Sequence, residues 1–169
     1  MKDFKLFLDL IRIKKPIGIM LLFWPCSWGL TLVNDFSNGY SQYILYLIYF
    51  FLGATLMRSA GCIVNDILDR KYDILVERTK NRPIASGDIS VSLSLVYVVI
   101  LCSLAFLILI QFNFITILLG LASMPFAFSY PLMKRYTYWP QLFLGFTFNY
   151  GLIMAWFSIK PEFSYIPII

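Results

Sequence analysis

Residues 89–133 read ISVSLSLVYVVILCSLAFLILIQFNFITILLGLASMPFAFSYPLM, 45 positions without one charged side chain. A helix that crosses a bilayer takes about 20 mostly apolar residues, so this stretch has room for two. Its best break is Gln111-Phe112-Asn113, polar near the middle. Three more charge-free stretches, 16–34, 36–57 and 136–159, accompany it. The apolar residues show no period of two, which argues against a barrel. The pattern predicts five spanning helices, at 17–33, 43–64, 91–110, 114–130 and 141–158. The fold class is then all-α: a polytopic transmembrane helical bundle, one integral membrane domain over 1–169, with the lipid bilayer as its solvent.

Composition agrees. The 169 residues are 60% hydrophobic, 18% aromatic and 14% charged, against about half apolar and a quarter charged in an average soluble domain. A soluble enzyme of this length needs polar surface that the chain lacks, and disorder is excluded by the same numbers. Histidine is absent. That excludes a His base, a His metal ligand and a Ser-His pair. Cys26, Cys62 and Cys102 lie in apolar runs without metal spacing and read as buried reduced thiols.

The basic residues orient the bundle. Lys2, Lys5, Arg12, Lys14 and Lys15 precede the first helix. Arg70, Lys71, Arg78, Lys80 and Arg82 follow the second, and Lys134 and Arg135 follow the fourth. These are 12 of the 14 basic residues, and with five helices they fall on one side. The N-terminus and both basic loops (65–90 and 131–140) are therefore expected in the cytoplasm. The net charge of +5 is a topology signal, and no nucleic acid is expected as a partner. Phe4, Phe7, Leu8 and Ile11 repeat at helical spacing among charges, so 1–15 reads as an amphipathic segment on the cytoplasmic surface. The last seven residues begin an apolar run too short to span, and the chain is expected to be the front part of something longer.

The densest polar stretch is Asn65-Asp66-Ile67-Leu68-Asp69-Arg70-Lys71-Tyr72-Asp73. If the second helix continues past the membrane surface, Asn65, Asp69 and Asp73 share one face, with Asp66 on its edge. Clustered carboxylates repel one another, and a hard divalent cation relieves that repulsion. Oxygen ligands without His or Cys point to Mg²⁺, held by Asn65, Asp66, Asp69 and Asp73. Mg²⁺ usually takes one or two carboxylates plus substrate phosphates. Arg70, Lys71, Arg78, Lys80 and Arg82 are placed to hold the rest of a diphosphate. The alternative is a solvated loop obeying the inside-positive rule, which explains the cations but not the spaced acids. Arg58 lies seven residues before Asn65, two turns deeper. A guanidinium at that depth costs about 2.5–3.5 kcal/mol on the lenient scale, so it calls for a function, a partner or snorkelling to the surface. In the second loop Tyr130 and Lys134 are four apart and can face one site. The alternative there is an aromatic belt with inside-positive charge. Pro125 and Pro131 disfavour a regular end to the fourth helix.

Asn65-Asp66-x-x-Asp69-x-x-x-Asp73, followed by Arg78-Thr79-x-x-Arg82-Pro83, resembles the first aspartate-rich signature of the UbiA family of membrane prenyltransferases. Tyr130-x-x-x-Lys134 resembles that family's second-loop motif. The stretches Met57-Arg58-Ser59-Ala60-Gly61-Cys62 and Met133-Lys134-Arg135-Tyr136-Thr137 are similar to its ubiquinone-pathway branch. The resemblance covers the whole chain but only the front part of a family bundle of about nine helices. It implies a central cavity open to the bilayer and two facing aspartate-rich loops that hold Mg²⁺ on a polyprenyl diphosphate. It implies transfer of the polyprenyl group to 4-hydroxybenzoate, in a bacterial or mitochondrial inner membrane. It implies catalytic roles for Asp69, Asp73, Tyr130 and Lys134. It implies substrate binding by Asn65, Arg58, Arg70, Lys71, Arg78, Arg82 and Arg135, the last toward the aromatic carboxylate. The family's second acidic motif has no counterpart, since Glu162 is the only acid after Asp88. Three other readings follow. The chain is an inactive fragment, or a subunit needing a chain that supplies the missing C-terminal helices. Its acceptor is haem, homogentisate or a naphthoate. Or it is a transporter.

Overall fold

The computed structural model describes residues 2–136 and 138–162, apart from the side chains of 2, 3, 38, 134 and 135. Every regular element among them is helical: α1 (Lys2–Leu10), α2 (Ile17–Val33), α3 (Ser41–Asp73), α4 (Val91–Leu109), α5 (Phe114–Tyr136) and α6 (Pro140–Ile159), with a 3₁₀ turn at Phe36–Asn38. The five expected spans correspond to α2 through α6. Helices α3, α4, α5 and α6 are long and apolar enough to cross a membrane, while α2 has 17 residues and is shorter. Their outer faces keep Val99, Leu107, Leu118 and Leu142 exposed, which suits lipid rather than water.

Packing is most extensive between α2 and α6, then between α3 and α4. The first contact is built on small residues, as membrane helix pairs often are. A Cβ at Gly29 would stand 2.5 Å from the Leu152 carbonyl oxygen and 3.0 Å from Ala155 Cβ. Opposite, a Cβ at Gly151 would stand 2.5 Å from Cys26 Sγ. The two backbones meet where side chains are missing.

Long-range hydrogen bonds and ion pairs fix the two ends. At one end Asn113, in the expected Gln111–Asn113 turn, donates to the carbonyls of Phe157 (2.7 Å) and Ser158 (3.0 Å). Its own side-chain oxygen accepts from the Thr116 backbone N–H at 3.0 Å, opening α5. Asp35 lies at the same end. Its carboxyl is held below the usual range first by Ser37 and more weakly by Lys160. At the other end α1 packs on α3, and the loop after Asp73 folds back.

Three expectations change. The second span does not stop at 64: α3 continues without a break to Asp73, so the first part of the expected 65–90 loop is helix. Beyond the membrane border a helix still satisfies its own backbone, and no Gly or Pro interrupts 62–73. Helix α5 does not end at 130 but runs through Pro125 and Pro131 to Tyr136. The prolines leave the Leu121 and Ala127 carbonyls without an N–H donor. The nearby hydroxyls bond the adjacent carbonyls, Ser123 donating to Gly120 O at 2.7 Å and Ser129 to Phe126 O at 3.4 Å. Packing against α6 supports the helix through both prolines, as neighbouring helices do for proline in membrane bundles. Finally, α1 is docked on the bundle. Phe4 is 67% exposed, but Leu10 is fully buried and Ile11 nearly so, packed with Ala60, Ile63, Ile84 and Ile89. Burying one such side chain is worth about 1.5–3 kcal/mol.

Candidate functional site

The polar end of α3 is where the sequence-derived residues meet. Asp66 is 3% exposed and Asp73 8%. Seven residues apart, they lie on nearly one face of the helix. Arg82 joins them: its Nη1 donates to Asp66 Oδ1 at 3.1 Å and to Asp73 Oδ2 at 2.7 Å. Arg12 donates to the same Asp66 oxygen. The loop that brings Arg82 back is pinned locally. Thr79 is buried and its hydroxyl donates to the Asp73 carbonyl at 3.0 Å. The Arg82 carbonyl accepts from the Ser86 backbone N–H and hydroxyl at 2.8 and 3.0 Å. Pro83, Ile84 and Ala85 are buried behind it. Ser90 then caps α4, accepting from the Leu93 N–H at 3.2 Å.

The other expected residues are distributed around this network. Asn65 and Asp69 are half-buried on α3. Arg70, Lys71 and Arg78 are exposed, with no ion pair among the described residues, and Lys80 pairs with Glu77 at 2.7 Å. Arg58 is half-buried and lies across Gly18 at the start of α2, where a Cβ would stand 2.4 Å from its Nε. The absent side chain at Gly18 is what makes room for the guanidinium. Tyr130 is half-buried in α5. Lys134 and Arg135 continue that helix, but their side chains lie outside the described residues. Arg12 was missed as a site residue and counted only as a topology charge. Its signal was slight: one cation between Ile11 and Ile13, just before a span. Among the described residues it is also the one non-glycine with positive φ, at 55°, a conformation that costs free energy and often marks function.

Among the described residues no three His, Cys, Asp or Glu side chains converge as a ready metal site. The donors at the end of α3 nonetheless fit a hard divalent cation. They are carboxylate and amide oxygens, two carboxylates face one point now held by a guanidinium nitrogen, and Mg²⁺ commonly needs no more from the protein. Deeper in the bundle is a cavity of about 160 Å³, reached by all five long helices and lined by residues such as Cys26, Phe50, Gly53, Met57, Gly120 and Tyr150. Its wall is almost entirely apolar, and Phe112 closes part of it against Tyr46, Tyr49 and Phe50 at 4.9–5.8 Å between ring centres. Met57 in its wall precedes Asn65 by eight residues, about 12 Å of helix. Helix α3 thus carries a charged cluster at its end and part of an apolar cavity wall deeper in the bundle.

Residues 22–169 match the UbiA prenyltransferase family. A mitochondrial 4-hydroxybenzoate polyprenyltransferase of Caenorhabditis elegans is 43% identical over 162 residues, 96% of this chain and 45% of its own length. The human protein of that name is 47% identical over 154 residues, 91% of this chain and 41% of its own. The Arabidopsis thaliana one is 44% identical over 155 residues, 92% of this chain and 38% of its own. The chain thus spans less than half the length of these relatives. A solved structure of digeranylgeranylglyceryl phosphate synthase in membranes has the same fold, with a TM-score of 0.70 at 21% identity, over 95% of this chain and 56% of its own. Prenyltransferases of this family are generally metal-dependent. From the first apolar helix to the last residue the likeness is continuous, and this integral membrane protein belongs to the UbiA prenyltransferase family.

Proposed function

We propose that the protein takes part in transferring a polyprenyl group from polyprenyl diphosphate to 4-hydroxybenzoate, a step of ubiquinone synthesis, with Mg²⁺ as cofactor. The observation that carries this reading is the 43–48% identity to relatives of that name over at least 90% of the chain. The charged cluster at the end of α3 and the apolar cavity deeper in the bundle support it. Asn65, Asp66, Asp69 and Asp73 would hold the cation, which when bound neutralises charge developing on the departing diphosphate. Arg70, Lys71, Arg78 and Arg82, with Lys134, hold the diphosphate oxygens. Arg58 and Arg135 would take the acceptor's carboxylate. The cavity wall takes the isoprenoid tail and excludes water from the allylic cation, which ring faces such as Tyr130 stabilise. The allylic C–O bond breaks, a C–C bond forms beside the phenol oxygen, and the ring proton leaves. The N-terminal segment and the acidic end of α3 face the cytoplasm, or the matrix if the membrane is mitochondrial.

Membranes carrying the protein, supplied with both substrates, are expected to form the prenylated acid only with Mg²⁺. Asp69→Ala and Asp73→Ala should each abolish it, and near-normal product from either would overturn the site assignment. Homogentisate, haem and a naphthoate offered in parallel decide the acceptor. A second reading, that the chain works only with further helices bearing another acidic loop, is favoured by its 38–45% coverage of the relatives. Turnover by the 169-residue chain alone would refute it.

A further inference from the structure

The ion-pair network at the end of α3 contains more than the proposed reaction asks of it. Two guanidiniums and two carboxylates meet there, so the network is neutral. Both Arg12 and Arg82 donate to Asp66 Oδ1, and a single nitrogen of Arg82 also reaches Asp73 Oδ2, at 2.7 Å. Carboxylates this deeply buried repel one another without a positive charge between them. Arg82 Nη1 supplies that charge from the point at which the same two oxygens would coordinate a cation. The guanidinium and the cation therefore exclude one another.

The surroundings allow an exchange. The Arg82 backbone is held at its N–H by the Thr79 carbonyl (3.0 Å) and at its carbonyl by Ser86. Only the side chain is free to turn, and it is 25% exposed, against 29% for Arg12. Both guanidiniums are thus partly open to solvent, and Arg70, Lys71 and Arg78, in the same stretch of chain, are exposed.

We propose that Arg82, with Arg12, competes with the divalent cation for Asp66 and Asp73, and that the guanidiniums released by the cation pair with the diphosphate. The two arginines are then positioning residues that lower cation affinity and raise diphosphate affinity. This rests on the metal-dependent reaction proposed above. A structural brace has a different consequence: its removal weakens both ligands.

The test is titration of the purified protein in detergent with Mn²⁺ alone, then of the Mn²⁺-loaded protein with inorganic diphosphate. Arg82→Gln is expected to bind Mn²⁺ about three- to tenfold more tightly and diphosphate about three- to tenfold more weakly, as loss of one competing pair implies. Arg12→Gln should move both affinities the same way but less, since it touches only Asp66. Its shift decides the matter if Arg82→Gln does not fold. Unchanged or weaker Mn²⁺ binding in these variants, with wild-type binding abolished by Asp73→Asn, would overturn the competition alone. No Mn²⁺ binding by the wild-type protein would overturn both the competition and the metal reading beneath it.

Discussion

Asp66 meets Arg82 sixteen residues downstream and Arg12 fifty-four residues upstream, while Asp73 meets Arg82 nine residues away. The acids were legible in the sequence because spacing along one helix is a local property. Their cationic partners were not, because helical period says which residues share a face, not which cation a loop will return to it. Lys80, equally basic and two residues from Arg82, pairs with Glu77 instead. Thr79 decides how the loop returns. It is 5% exposed, and its hydroxyl ties the Asp73 carbonyl at 3.0 Å. Thr79→Val keeps the volume and removes that bond, which should cost about 1 kcal/mol. A thermal melt in detergent should show the loss, and the same variant should bind Mn²⁺ more weakly because Asp73 is no longer held in place. An unchanged melt and an unchanged titration would show that the loop is held by its apolar anchors alone.

The helix α3 spans 33 residues, about 50 Å at 1.5 Å each. That exceeds a hydrocarbon core of about 30 Å, so its last turns carry Asn65 to Asp73 out of the apolar slab on a rigid support. Hydropathy placed the second span's end at 64 because it registers where lipid stops, and a helix does not have to stop there. The reverse held in α5, where Pro125 and Pro131 signalled an end that packing against α6 overrides. The contact between α2 and α6 offers a clean test at this scale. Gly29→Ala puts a methyl 2.5 Å from the Leu152 backbone oxygen, a group that cannot rotate away. Overpacking of this kind costs about 1–3 kcal/mol, and the melting temperature should fall. Gly61→Ala, with nothing within 4 Å of its new Cβ, should leave it unchanged or raise it, since alanine is the better helix former. Equal behaviour of the two variants would mean the helices slide apart at little cost.

At the scale of the molecule, α2, α3, α4, α5 and α6 line a cavity of about 160 Å³, deeper in the bundle than the charged end of α3. Gly53 lines it with open space around its missing side chain. Gly53→Trp should fill part of that volume and raise KM for polyprenyl diphosphate at least about tenfold. Mn²⁺ affinity should stay as it was, because the carboxylates are several turns away. An unaltered KM would remove the cavity from the substrate path. By itself the sequence determined the membrane class, the number of apolar helices, the polarity of the bundle's two ends and the acidic stretch 65–73. Each of these depends on successive residues along the chain, and hydropathy, charge and helical period express it without knowledge of neighbours. Only the tertiary structure decided that Arg12 and Arg82 share Asp66, that Arg58 lies across Gly18, that α1 is docked, and which residues line the cavity. Those are meetings between segments far apart in the chain, set by which helix backbones can approach closely and by the charge that two buried carboxylates require.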